Sequence, residues 1–361
     1  MKRTLFTVIA TVLVIAFTTG IAYAREPITS ELTLNQAVEM AGKYSKALQK
    51  AELEVDRTGE IRSHRYDQLA YVPGDAAVGN PAEIAWARML SDDLTWRMSG
   101  KSLSVEEDSL VLNVCQKYWD VLKAQDTIDA KKAVLRQADW DLRKARASAQ
   151  IGLVTRLILS QVEAQTAGAK ADLAAAENTL DTAYAELNSL LGFWPEDRPV
   201  LIDAVEFVPL KVDNLDVAIQ RVIETSPSVW LAQERATMQK YLEELMFYTG
   251  EYRPYQARKI EVEQAELDAV SAKEAMRLAT RSLYYGVMSL EESYRPLADA
   301  VGIAEESLRI TEIKYELGMV TKADVAAAEA VLAETGQRVQ SIVYQHAYTK
   351  LAFQKPWAMT R

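Results

Sequence analysis

Ile151-Gly152-Leu153-Val154-Thr155-Arg156 has a second version later in the chain, Leu317-Gly318-Met319-Val320-Thr321-Lys322. Each glycine fits the left-handed position one residue past a helix end, where any side chain costs energy. Each threonine, Thr155 or Thr321, fits the N-cap of a following helix. Thr321 and Asp324 add a T-x-x-D start signal. Each motif is therefore a tight turn between two antiparallel helices. Ahead of the first turn, Val114, Val121, Ile128, Leu135, Leu142 and Ala149 recur at every seventh residue. That is the seam of a supercoiled helix. Spanning residues 110–151, it is about 60 Å long at 1.5 Å per residue. Behind the turn, Leu159, Leu173, Leu180 and Leu187 make one row, and Val162, Ala169, Ala176, Ala183 and Leu190 the adjacent one. The abundance of alanine allows helices to approach closely.

The offset from Gly152 to Gly318 is 166 residues, and it holds on both sides of the turn. Tyr118 falls on Tyr284, Val121 on Val287 and Leu142 on Leu308. Beyond the turn, Leu159 falls on Val325 and Ala176 on Ile342. Upstream, Leu34-Asn35-Gln36-Ala37-Val38 matches Leu215-Asp216-Val217-Ala218-Ile219 at an offset of 181. The difference between the two offsets places extra residues of the first copy within 62–108. The chain thus divides into a leader (1–24), a first hairpin repeat (25–192), a linker (193–214), a second hairpin repeat (215–353) and a short tail (354–361). The linker carries Pro195, Pro199 and Pro209, which punctuate helices. Pro296 falls inside the penultimate helix and is expected to kink it. The fold class is all-α: two repeated long antiparallel coiled hairpins with little or no β-strand.

The leader reads as a secretory signal: Lys2 and Arg3, an apolar run over residues 5–17, then Ala22-Tyr23-Ala24. The run is shorter than the roughly 20 residues of a membrane span. Export to the outer membrane or to the periplasm and cell envelope follows. The formal charge is −10 with the leader included, which argues against nucleic acid as a partner. Cys115 is the single cysteine, so no intrachain disulfide forms, and it reads as a small apolar helix residue. His64 and His346 are the two histidines, and neither has metal-ligand or nucleophile spacing. No enzyme, metal or cofactor is expected. Glu106-Glu107-Asp108 and Glu291-Glu292 read as solvated helix faces. Trp119, Trp140, Tyr284, Tyr285 and Tyr344 lie off the narrow seam, which favours lateral assembly.

These landmarks resemble the TolC family of outer-membrane efflux proteins. The resemblance rests on the doubled order of an opening Leu-Asn-Gln-Ala-Val type helix, a Gly-Leu-Val type turn and the Leu190-Leu191-Gly192-Phe193-Trp194-Pro195 ending of the first copy, and covers residues 31–353. It implies a homotrimer whose helices form a tunnel, an α-barrel, across the periplasm. It further implies a twelve-stranded barrel in the outer membrane, a periplasmic adaptor (membrane fusion) protein at the turns, and an inner-membrane transporter. By that matching Gly152, Leu153, Val154, Thr155, Gly318, Met319, Val320 and Thr321 are the adaptor-facing tip. Tyr315 and Asp324 match positions that narrow a closed tip. Asp324 also reads as a plain capping residue, and Tyr315 as ordinary packing. Offset 166 puts Ile158 opposite Asp324, so an acidic ring would come from the second copy alone.

The sequence departs from the family where the barrel strands belong. A membrane strand needs about 9–11 residues, and each repeat needs two. The second copy offers only residues 248–255. In the first copy, residues 62–108 read as loop, with Pro73-Gly74, Gly79-Asn80-Pro81 and Ser99-Gly100 as turn signals and 94–98 as one short alternating patch. The barrel is therefore expected to be missing or vestigial. The leading function is a helical conduit component of an efflux or export system. The alternative is a barrel-less extracytoplasmic spacer or interaction protein without channel activity.

Overall fold

The computed structural model describes residues 30–69, 81–244 and 254–359. The leader at 1–24, the Pro73-Gly74 and Gly79-Asn80 turn signals and most of the 248–255 window lie outside the described residues. The elements in chain order are β1 (Glu31–Leu32), α1 (Leu34–Tyr44), α2 (Lys46–Leu69), α3 (Pro81–Gln150), α4 (Arg156–Leu191), β2 (Val200–Leu201), α5 (Leu215–Thr225), α6 (Pro227–Glu244), α7 (Tyr255–Glu316), α8 (Lys322–Gln354) and a final 3₁₀ turn (Pro356–Ala358). Among the described residues the strands are two residues each and pair parallel, Glu31 with Val200 and Leu32 with Leu201.

The two repeats match down to their caps. Thr33 caps α1, with its hydroxyl accepting from the Gln36 N–H and the Gln36 side chain accepting from the Thr33 N–H. At the upstream offset, Asn214 caps α5 and accepts from the N–H groups of Asp216 and Val217. Ser45 and Ser226 end these helices in extended backbone, and each hydroxyl then accepts an N–H of the next helix, from Leu48 and Val229. A serine hinge therefore restarts the helix at the same place in both copies.

The long helices form one open layer in the order α4, α3, α8, α7. The seam expected on α3 is buried at Val114, Val121 and Ile128 and half-buried at Leu135, Leu142 and Ala149. The hairpin is thus packed most tightly away from its turn. There α1 joins it, and Ala37 and Ala41 pack with Tyr118, Leu187 and Leu191. A second core gathers Leu112, Ile219, Val222, Val229, Met276 and Trp357 where α5, α6 and the 3₁₀ turn meet α3 and α7. Cys115 is buried in the first core, and burial pushes its thiol up to about 11. It is a neutral packing residue at pH 7.

One expectation is corrected. Ser99-Gly100 is not a turn and residues 94–98 are not a strand: both lie inside α3, which starts at Pro81. Gly100 weakens a helix by about 1 kcal/mol relative to alanine, and packing against α2 overrides that cost. Arg62 bonds Asp93 at 2.6 Å and Arg65 bonds Asp92 at 2.9 Å. The buried hydroxyls of Thr58 and Ser99 meet at 2.8 Å. Gly59 lets Trp96 approach, since a Cβ there would sit 3.4 Å from the indole nitrogen. Residues 62–69 and 81–108, read as loop, are thus two helices of a second hairpin, pointing away from Gly152. The pair α6 and α7 repeats it, with Lys240 on Glu266 at 2.6 Å. Where barrel strands would stand, the described chain is helical.

The linker is a strap rather than a free tether. Asp203 accepts from the Leu34 N–H and, at 3.3 Å, from the Tyr118 hydroxyl. Phe207 stacks on Tyr294, 3.7 Å between ring centres, and lies against His346. The Leu210 N–H donates to Glu291 at 2.6 Å, and Lys350 donates to the Val208 carbonyl at 2.8 Å. The strap therefore ties α1 and α3 of the first repeat to α7 and α8 of the second.

Candidate functional site

The two predicted turns have the same backbone. Gly152 has φ 76° and Gly318 φ 71°. The Gly152 and Leu153 N–H groups donate to Ala149 and Ser148 at 3.1 and 2.9 Å; those of Gly318 and Met319 donate to Tyr315 and Lys314 at 2.9 and 2.8 Å. This double bond pattern satisfies the last carbonyls of each helix and requires the left-handed residue that glycine supplies. Such a turn is often closed by an apolar contact from the residue after the glycine back to the helix. Here the residues after the glycines stay largely in solvent: Leu153 is 74 % exposed and Met319 70 % exposed. Val154 and Val320 are half-buried, so of the four apolar turn residues these two fold inward. The exposed pair has company in Ile151, Leu157 and Leu317.

The threonines begin the next helices differently. The Thr155 hydroxyl accepts from the Ile158 N–H at 3.4 Å. Around Thr321, the Asp324 carboxylate instead accepts both the Thr321 N–H and its hydroxyl, each at 2.7 Å. These bonds, the hydroxyl first and the N–H second, hold the Asp324 carboxyl below the usual carboxylate range. Asp324 is thus a working cap. Tyr315 is 43 % exposed on α7 and its N-terminal neighbours face solvent.

Along the contact of α3 with α8 and the residues that follow it runs a polar ladder that the sequence did not disclose. Lys355 and the Trp357 indole both bond Asp108, the latter at 2.8 Å. Nearer the tip come Tyr344 to Asp126 at 2.9 Å, Gln337 to Thr127 at 3.2 Å and Arg136 beside Glu329 at 4.0 Å. At the tip Lys322 and Arg143 lie over the Trp140 ring, at 5.6 and 4.7 Å. Burial raises the Asp126 carboxyl and the Tyr344 hydroxyl above their ordinary values. No period in either helix announces these pairs, because their partners sit some 200 residues apart.

Comparison with known proteins meets this geometry. The outer membrane efflux protein family model matches residues 103–193, which run down α3, round the Gly152 turn and back along α4. The outer membrane protein TolC of Vibrio cholerae is 25 % identical over 108 residues, 30 % of this chain and 25 % of that relative. Along this hairpin the chain is similar to TolC and to the outer membrane efflux protein family. It is an exported protein of the outer membrane or cell envelope. Solved outer-membrane channels superpose on most of the chain at low identity. The open-state MtrE channel of Neisseria gonorrhoeae superposes with a TM-score of 0.66 at 15 % identity, over 90 % of this chain and 88 % of that one. The CmeC channel of Campylobacter jejuni gives 0.65 at 13 %, over 93 % and 90 %. The VceC protein of Vibrio cholerae gives 0.64 at 14 %, over 90 % and 95 %. The fold and the family match are those of channel proteins, and the α4, α3, α8, α7 layer has the fold of their helical hairpins.

Proposed function

We infer that the protein is the outer-membrane-factor component of an efflux or export system, working as a homotrimeric helical conduit with a periplasmic adaptor and an inner-membrane transporter. The observation that carries this reading is the open layer. Its two edge helices, α4 and α7, have faces that no described residue covers. Leu278, Tyr285, Ile303 and Ile310 are exposed along one side of α7, and Leu317 at its C-cap continues the row. Their spacings of 7 and 18 residues are near-whole numbers of helical turns. On α4 the exposed residues include Ala164, Ala167, Ala171, Ala174 and Ala175, small enough to receive them.

The repeat says how the edges meet. Inside the chain, the first helix of one hairpin (α3) packs on the second helix of the other (α8). The same relation carried to a neighbouring copy sets α7 against the neighbour's α4. Such head-to-tail contacts form a ring when the rotation between copies closes, and three copies of two hairpins match the family's trimer. The boundaries 25–192 and 215–353 serve as the repeating units. Gly152, Leu153, Val154, Thr155 and Gly318, Met319, Val320, Thr321 then lie together at one rim as the adaptor-facing tip, with Leu153 and Met319 as its apolar contacts. Tyr315 and Asp324 stand at the same rim, where they would narrow a closed opening.

At the far pole the α2–α3 and α6–α7 hairpins stand in place of barrel strands, and the conduit builds no full membrane barrel from its own chain. The test is the oligomeric state by native mass spectrometry, with and without detergent. A trimer that Ile303→Glu with Ile310→Glu reduces to monomer, at unchanged helicity, is the expected result. A wild-type monomer under all conditions would leave the barrel-less spacer as the better reading.

A further inference from the structure

Between the linker strap and the first core lies a cleft of about 680 Å³. It is separate from the tip and from both edge faces. Its wall is apolar: Leu34 and Val38 of α1, Val111 and Trp119 of α3, Leu351 of α8. Its volume falls within the range of sites that enclose small molecules. The polar groups at its mouth divide into two kinds. His346, 2 % exposed, is bonded to Glu291 at 3.0 Å, and Lys350 donates to the Val208 carbonyl at 2.8 Å. Both side chains are therefore committed to holding the strap. The carboxylates of Glu39 on α1 and Glu206 on the strap are exposed and bond to no other described residue.

We propose that this cleft binds a bulky apolar organic cation, one per chain, with its body against Trp119 and its charge at Glu39 and Glu206. Three physical terms favour that class. An apolar body gains from leaving water against the aliphatic wall. A cation gains from two carboxylates that bond to no other described residue. A charge spread over a large group is weakly hydrated, so bringing it to the half-dry mouth costs little, whereas a compact ammonium would lose its hydration. An anion of the same shape would gain the first term and lose the others against two carboxylates. Lys350 offsets one of those charges and does not reverse the sign, since two carboxylates stand against one ammonium.

The test uses two ions of one shape, tetraphenylphosphonium and tetraphenylborate, titrated into the purified full-length protein in sodium buffer at physiological ionic strength. The expected result is one phosphonium bound per chain, at least tenfold tighter than the borate. Glu39→Gln with Glu206→Gln should bring the two ions within about threefold of each other. Val208→Trp, an exposed strap position that lines the cleft, should weaken both ions tenfold at unchanged far-ultraviolet circular dichroism. Equal binding of the two ions by the wild type overturns the proposal. So does a preference for the phosphonium that survives the double Gln variant, since that is attraction to the net charge of −10. Indifference to Val208→Trp overturns it as well, because the ion then sits elsewhere.

Discussion

The two tips of this chain share a backbone and differ in how their threonines are used. At Gly152 and Gly318 the angles and the pairs of closing hydrogen bonds agree within a few degrees and tenths of an ångström. Three residues after Thr155 and Thr321 the copies part, Ile158 in one and Asp324 in the other. The first N-cap relies on a long bond from the Ile158 N–H to Thr155; the second holds Thr321 with a carboxylate that accepts twice. Turn geometry is thus a requirement of joining two antiparallel helices, met the same way twice. The charge set on the turn is free to differ, and in a ring it would make alternate tips unlike.

The largest effect expected in this comparison is on the glycines. Gly152→Val and Gly318→Val each force a β-branched residue to positive φ, and each should lower unfolding stability by about 1–2 kcal/mol. Chemical denaturation would measure it. Equal losses support a shared geometry; a loss at one tip alone would break the equivalence.

Next in size is the loss of partner binding. Leu153→Ser and Met319→Ser remove exposed side chains, so stability should move by less than about 0.5 kcal/mol. Adaptor affinity should fall about tenfold for the pair, read by co-purification with the organism's own adaptor. A fall in melting temperature without loss of binding would make these residues packing rather than interface.

Asp324→Asn against Ile158→Asp separates the two caps. The Asp324 carboxyl is held below its ordinary value, so its stabilisation is present above about pH 4 and lost as pH falls through its folded value. Asp324→Asn should therefore lower the melting temperature at pH 6 and leave it unchanged near pH 2. Ile158→Asp should raise the pH 6 value by giving the first tip the same cap. A pH-independent effect of Asp324→Asn would show that the carboxylate is not the cap's source.

The smallest effect belongs to the ladder between the tips. The Asp126 carboxyl is raised by burial, so its ionisation opposes folding, and stability declines as pH rises through its ordinary range toward its folded value. Asp126→Asn should flatten that decline. The change at neutral pH should stay under about 1 kcal/mol, because the site is only half-buried. Denaturation midpoints at pH 4 and pH 7 would check it.

The sequence alone determined the features that depend on neighbours along the chain. A glycine followed by a threonine marks a turn because only local dihedral sterics and local hydrogen bonds are involved. The seven-residue rows mark a coiled hairpin because the period is a property of one helix. The doubled offset carries both from one copy to the other, and so the fold class and the tip were legible. Tertiary structure decided the rest. Residues 94–98 alternate like a strand and Ser99-Gly100 punctuates like a loop, yet Arg62, Arg65 and Thr58 on α2 hold both in helix. Local propensity there is worth about 1 kcal/mol, and several contacts from another helix outweigh it. The order α4, α3, α8, α7 and its polar ladder were beyond reach for the same reason. Asp126 and Tyr344, or Asp108 and Trp357, meet only because two hairpins lie side by side, and pairings between distant segments leave no period in either one.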